Sequence, residues 1–328
     1  MTPDSPAASG KRALVTLGDV RAAARLVAGE VHRTPIVRSE TLSRLAGADV
    51  RLKLENLQKT GSFKIRGALT RIAALSDAER RRGVVTVSAG NHAQGLARAA
   101  SVFGVKAVVV MPETAAPSKV EATRGHGAEV VLHGSARELV PKANEIARER
   151  GLVFVHAFDD AEIIAGQGTV GLEIAEDAPD ADVVVVSVGG GGLVSGVAVA
   201  VRALLPSARV VGVEPEGAAT MAMSLKTGRP EALGATRTIA DGLAAPFAGA
   251  FTFEHVRALV DGVVIVSDAE ILSALKLLLE RTKLLVEPAG AASVAALLAR
   301  RIPGVEGKRV VAVLSGGNAD LGRLREWL

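Results

Sequence analysis

From residue 84 onward, short apolar runs alternate with amphipathic ones. Residues 84–87 (Val-Val-Thr-Val) read as a strand and 93–103 as a helix. The same reading gives strands at 107–111, 128–132, 152–156, 182–188 and 209–214, with helices at 118–124, 137–150, 163–178 and 193–205 between them. Later strands fall at 262–266 and 309–314, separated by helices at 269–282 and 289–301. Before residue 84 the pattern is looser. An amphipathic helix is expected over 19–31, with Val20, Ala24, Leu26, Val27 and Val31 as apolar positions. Thr34-Pro35 stops it, because the residue before proline avoids the helical region. A short helix over 39–46 leads to the run 50–55, where charge and hydrophobe alternate as in a strand with one wet face. A loop then holds Asn56, Lys59, Thr60, Gly61 and Ser62, and a helical pattern opens behind it at Lys64. Residues 1–15, rich in Pro, Ser, Ala and Gly, read as a mobile tail.

All-apolar strands alternating with helices predict an α/β protein with parallel or mostly parallel sheets covered on both faces. The number of strands suits two open sheets, hence two domains. No linker marks their boundary. Arg80-Arg81-Arg82 reads as a solvated helix end.

Composition sharpens this picture. Hydrophobic residues make up 48% of the 328 and aromatics only 2%, so the core is built from Ala, Val and Leu. A net charge of +4, with no basic block and no aromatic platform, argues against nucleic acid as a partner. Without cysteine there is no disulfide, thiolate nucleophile or cysteine metal site, and without tyrosine no phenolic acid or base. The six histidines lack metal-ligand spacing. With no apolar leader and no long apolar run, a soluble, cytoplasmic protein that does not use the membrane is expected.

Four stretches could carry chemistry. Lys64 sits where unpaired amides disfavour a further cation, so it either solvates a helix or is made reactive. Gly189-Gly190-Gly191-Gly192 follows a buried strand and opens a helix, a cradle for one phosphate. It misses both the dinucleotide fingerprint and the P-loop pattern. Ser88-Ala89-Gly90-Asn91-His92 follows another strand; Asn91 is either an uncharged donor or a helix cap, and His92 a capping or core histidine. Ser315-Gly316-Gly317-Asn318 follows the last strand and alone reads as a turn. Glu287, before Pro288, reads most simply as a partner of a helix dipole. Together, an imine-forming lysine, a glycine cradle and neutral polar groups at strand ends suit pyridoxal 5′-phosphate.

The set resembles the fold-type II pyridoxal-phosphate enzymes, and within them the threonine dehydratase (threonine ammonia-lyase) and serine racemase group. The carrying motifs are Lys53-Leu54-Glu55-Asn56, Ser62-Phe63-Lys64-Ile65-Arg66-Gly67-Ala68, Ser88 to Gly95, Ala165-Gly166-Gln167-Gly168-Thr169, Gly189 to Gly192, and Ser315 to Asn318. They span the chain from about Asp19 to its end. The resemblance implies a tryptophan synthase β-like fold. Its large domain comprises 1–75 and 158–328, with a small domain, 76–157, inserted. It implies that Lys64 joins the cofactor as an imine and later moves the Cα proton. Phe63 packs beside the cofactor ring, Asn91 meets its 3′ oxygen, and Gly189 to Gly192 hold the phosphate. Ser315 meets the pyridine nitrogen, a hydroxyl that leaves this nitrogen unprotonated and favours elimination. Glu287 falls among the cofactor-binding positions. Ser88, Ala89 and His92, with Arg137, lie where the family binds the substrate carboxylate. Relatives hold Mg²⁺ or Ca²⁺ through a Glu, a carbonyl and an Asp. Glu214 and Ala218 match, but Thr220 stands in the Asp position, so a weak divalent or a monovalent cation is expected.

The implied activity is β-elimination on L-threonine, and also L-serine, to 2-oxobutyrate or pyruvate and ammonia, with the cofactor phosphate helping the hydroxyl leave. A homodimer or dimer of dimers is implied. The regulatory domain of biosynthetic relatives has no counterpart, so isoleucine feedback by that route is not expected. The alternatives are a lyase for 3-hydroxyaspartate or another hydroxyamino acid, a serine racemase, and, from another class, a nucleotide-dependent oxidoreductase.

Overall fold

The computed structural model describes residues 13–328. Its strands are β1 (Ile36–Arg38), β2 (Asp49–Lys53), β3 (Val84–Val87), β4 (Ala107–Met111), β5 (Glu129–Leu132), β6 (Val153–Phe154), β7 (Val183–Ser187), β8 (Arg209–Pro215), β9 (Gly262–Val266) and β10 (Arg309–Val313). They form a six-stranded sheet in the order β1-β2-β10-β7-β8-β9 and a four-stranded sheet in the order β5-β4-β3-β6. Only the β1–β2 pair is antiparallel. The smaller sheet is built entirely from residues between 84 and 154.

The valine run of β7 shows why the sheet is covered on both faces. Side chains alternate across a strand. Val183 and Val185 enter one core beside Ala291 and Val294 of the helix Pro288–Leu298. Val184 and Val186 enter another beside Val194 and Val197 of the helix Gly192–Leu204. Each fully buried valine contributes roughly 1.5–3 kcal/mol relative to exposure.

Several local expectations are corrected. The alternation at 50–55 does not mark a wet face beyond its first residue. Lys53 and Glu55 are wholly buried, together with Arg66. Arg66 bridges Glu55 (2.8 Å) and Glu173 (2.6 Å), and Lys53 reaches Glu173 at 2.6 Å. Charge on a strand is solvated only when no partner waits across the core, and here partners wait. The first helix spans Leu17–Val27, not 19–31. Thr16 and Asp19 close a capping box at its start, and Gly29 turns the chain at φ 80° after its end. The expected tail lies largely outside the described residues. Val15, at its end, is buried and donates its N–H to His255 Nε2 at 2.9 Å. The helix expected over 269–282 is α-helical at Asp268–Leu277 and then widens into a π-turn, Leu278–Thr282. Strand β1 and the helices Thr220–Thr227, Ala250–Leu259 and Leu321–Trp327 were not anticipated. The strand and the last helix are too short for periodicity to register.

Candidate active site

The C-terminal ends of β3, β4, β7 and β10 converge on one cavity of about 520 Å³, with Phe63 and Lys64 beside them. Ligand sites in parallel sheets form at such strand ends. Lys64 begins the helix Lys64–Ala73. The residues before it are tied to the turn after β10: Ser62 pairs with Gly316, and Phe63 donates its N–H to the Ser315 carbonyl at 3.2 Å. Behind Lys64 the helix is pressed against Ala161–Asp177. A methyl on Gly166 would lie 2.5 Å from Gly67 Cα. The Lys64 amine therefore starts from a fixed backbone. Its Nζ donates to the Ala157 carbonyl at 3.1 Å and stands 5.2 Å from the Phe63 ring centre. Burial in the cavity pushes its pKa down to about 8, against the pull of the Glu287 carboxyl. Desolvation, more than the helix start, makes this lysine reactive.

Gly189 to Gly192 lead from β7 into the helix Gly192–Leu204, and Gly191 is left-handed at φ 95°. First-turn amides lack acceptors in their own helix, and this loop lines the cavity. The glycines also serve their neighbours. A methyl on Gly190 would strike the Phe158 ring at 2.4 Å, and one on Gly191 would strike Met221 at 2.8 Å. Thr252 Oγ1 donates to the Gly190 carbonyl at 2.7 Å and steadies the loop.

Asn91 is the first residue of the helix Asn91–Val102; Gly90 is the cap, so the side chain is not used as one. It faces the cavity and donates from Nδ2 to Glu287 Oε1. Glu287 precedes the helix Pro288–Leu298 but makes no cap bond; its carboxyl turns into the cavity instead. Burial, with help from the Asp241 charge, pushes it up to about 7. Ser315 Oγ lies 3.4 Å from the Ala289 carbonyl at the cavity floor. Ser88 and Ala89 line the wall. His92 also borders the cavity, but its ring is core-like. The Thr86 hydroxyl donates to the Val155 carbonyl, so its oxygen accepts the His92 Nε2 proton at 3.0 Å. Burial, then the nearby Lys64, holds His92 well below its ordinary pKa and hence neutral.

One group expected at the cavity is not brought there, and the expected cation ligand is engaged elsewhere. Arg137 is exposed, sits just before the helix Leu139–Arg150, and donates to the Gly234 carbonyl at 3.2 Å. Glu214 accepts the Met221 and Ala222 amides at 2.8 Å each and so caps the helix Thr220–Thr227. Burial pushes its carboxyl up to about 7. Ala218 and Thr220 are buried beside it, and no cluster of three metal-ligating side chains exists among the described residues. A divalent cation at Glu214 would have to share a carboxylate whose two oxygens each already accept an amide. Adding Mg²⁺ or removing it with EDTA is therefore expected to leave steady-state activity unchanged. A large, EDTA-reversible activation would overturn this.

The sequence reading missed three lining groups: Phe158, whose ring packs with His156 and Phe247, and the Lys119–Asp241 pair at 2.5 Å. The rarity of aromatics was the available signal for Phe158.

A cavity with a desolvated lysine, an unsatisfied helix start framed by four glycines, and uncharged donors suits a small phosphorylated aldehyde such as pyridoxal phosphate. Comparison agrees. Residues 27–316 match the family model of the pyridoxal-phosphate dependent enzymes. The L-threonine ammonia-lyase of Thermotoga maritima is 50% identical over 94% of this chain and 77% of that protein. The catabolic L-threonine dehydratase TdcB of Escherichia coli is 43% identical over 95% of each chain. Among solved structures, maize serine racemase superposes with a TM-score of 0.92 at 39% identity, covering 96% of this chain and 97% of that one. A T.th. threonine deaminase gives 0.87 at 46%, covering 93% and 99%. The chain therefore belongs to the pyridoxal-phosphate dependent enzymes of fold type II, in the threonine dehydratase (ammonia-lyase) family.

Proposed function

We propose that this protein is an L-threonine ammonia-lyase that also accepts L-serine. It removes the Cα proton and the β-hydroxyl, and hydrolysis of the resulting enamine releases 2-oxobutyrate, or pyruvate, with ammonia. The observation that carries this is Lys64, a desolvated amine lining the cavity into which both β3 and β7 open. Pyridoxal phosphate, when bound, draws electrons from the substrate Cα. The chain does the rest. The amides of the loop Gly189 to Gly192, at the start of the helix, bind the phosphate. Asn91 and Ser315 orient the ring through hydrogen bonds from uncharged side chains, and Phe63 packs beside it. Lys64 Nζ, near its pKa of about 8, takes the Cα proton and holds it on one face of the carbon. Ser88 and the amides around Ala89 are the best-placed groups for the substrate carboxylate. The partition into 1–75 with 158–328 and an inserted 76–157 is supported by the two separate sheets. Self-association as a homodimer or dimer of dimers rests on the family resemblance. A steady-state screen of 3-hydroxy amino acids, reading 2-oxo acid, tests the substrate. A preference for 3-hydroxyaspartate over threonine would replace this reading.

The fold does not separate lyase from racemase, since serine racemases share it. Chemistry at one position does. Racemisation needs a proton donor on the face opposite Lys64. In racemases of this group a serine precedes the Gly-Asn pair, and here Ala89 stands there on the cavity wall. His92 cannot substitute, because its Nε2 proton is held by Thr86. Negligible D-serine is expected from the unmodified enzyme, and Ala89→Ser is expected to raise the D-serine share several-fold. Chiral chromatography after prolonged incubation is the check. Substantial D-serine from the unmodified enzyme would point to another donor.

A further inference from the structure

Three polar side chains at the cavity floor form a chain whose direction is set from one end. Asn318 Nδ2 lies 2.8 Å from the Thr60 carbonyl and 2.8 Å from Asn91 Oδ1. A backbone carbonyl only accepts, so the Asn318 atom facing it must be the amide nitrogen. That nitrogen then donates its second proton to Asn91, so the Asn91 atom it meets must be oxygen. The Asn91 nitrogen is thereby turned toward Glu287 Oε1, to which it donates one N–H. A carboxyl oxygen can accept there whether or not the acid is protonated. One Asn91 N–H remains, on a side chain that lines the cavity.

The surrounding backbone is shaped to admit this chain. A methyl on Gly61 would fall 2.1 Å from Asn318 Oδ1, and Gly61 is left-handed at φ 70°. A methyl on Gly316 would fall 2.4 Å from Glu287 Oε1 and 3.1 Å from Asn91 Nδ2. Two glycines on two loops thus vacate the volume that Asn318, Asn91 and Glu287 fill. Neither glycine belongs to the phosphate cradle.

We propose that Asn318 and Glu287 are positioning residues that lock the Asn91 amide as a donor, aiming its remaining N–H at an oxygen anion on the cofactor ring. The proposal rests on the cofactor reading above. An unlocked asparagine must lose rotational freedom before its N–H meets the anion. A locked one offers only the N–H, and hydrogen bonds to charged groups are the strong ones.

The test uses the purified holoenzyme. Asn318→Asp keeps the shape but cannot donate to Thr60 or Asn91, so Asn91 is released. Its cofactor dissociation constant is expected to rise about tenfold, the loss of one charge-assisted hydrogen bond, and the visible band of the bound cofactor to shift. Asn318→Ala should shift the band the same way. Glu287→Gln, still able to accept from Asn91, should leave the band in place, whereas Glu287→Ala should move it. In an Asn91→Ala background, Asn318→Asp should add nothing further to the dissociation constant, because its effect passes through Asn91. Circular dichroism and thermal unfolding of the apoproteins report the fold separately. A merely structural role would lower the melting temperature and leave the band unmoved. If one Asn318 variant fails to fold, the other decides. If neither folds, the Glu287 pair does. Folded variants with an unchanged band and affinity, or additive effects with Asn91→Ala, would overturn the proposal. Absence of any visible band from the unmodified protein would instead refute the cofactor reading itself.

Discussion

Lys64→Ala is expected to abolish turnover and to erase the visible absorbance of the bound cofactor. The amine does two things that no neighbour can take over. It is the only lysine besides Lys119 on the cavity wall, and Lys119 is paired with Asp241 at the mouth. Lys53 is close in sequence but faces the buried cluster, bound to Glu173 and the Thr34 carbonyl. Loss of the proton transfer alone costs on the order of 10²–10⁴-fold, and loss of covalent attachment adds to it. The fold should survive, because the Lys64 side chain makes one hydrogen bond, to Ala157, and the start of its helix is held through backbone contacts. Steady-state assay and an absorbance scan of the purified variant are sufficient. Retention of both signals would remove Lys64 from the mechanism.

Gly191→Asp is expected to lower cofactor affinity by roughly 10²-fold or more, the loss of two or more hydrogen bonds to a charged phosphate. The carboxylate would sit among the amides proposed to meet the phosphate, and it would repel the dianion. From the sequence alone this change leaves the fold largely intact. The structure adds a second effect, because φ is 95° and a Cβ would lie 2.8 Å from Met221 and 2.9 Å from Thr252. Gly191→Ala carries the strain without the charge, so the difference between the two variants isolates the electrostatic part. Cofactor titration of both apoproteins, followed by fluorescence or absorbance, gives the comparison. Affinity of Gly191→Asp within a few-fold of the unmodified protein would place the phosphate elsewhere.

What could be read from the sequence was local. The strands at 84–87, 107–111 and 262–266 are runs of aliphatic residues, and nothing competes with that signal. The glycine loop and Lys64 could be read because a strand end followed by a helix start has few chemical uses. Where two distant segments decide the outcome, periodicity fails. Lys53 and Glu55 look like the wet positions of a strand, and only Arg66 and Glu173, brought by two different helices, make them core. Arg137 has no such guide in the sequence. Its guanidinium goes to the Gly234 carbonyl, a partner 97 residues away. Asn318 was visible as part of a turn, but its role depends on Thr60 and Asn91, which approach it from two other loops.

The buried ion cluster has a consequence for how the chain reaches its native state. Burial pushes the Glu55 carboxyl up, but Arg66 beside it overrides this and holds it below the usual carboxylate range. That balance exists only once both are together. Glu173 meets Arg66 across 107 residues of chain and Lys53 across 120. Any one of these groups buried alone would be an uncompensated charge, which costs several kcal/mol. Glu55 and Arg66 are 11 residues apart and can pair locally, whereas Glu173 completes the cluster only once the helix Ala161–Asp177 has arrived, a contact of high sequence separation. The four residues behind Lys64 are therefore expected to slow unfolding, because parting them leaves buried charge uncompensated.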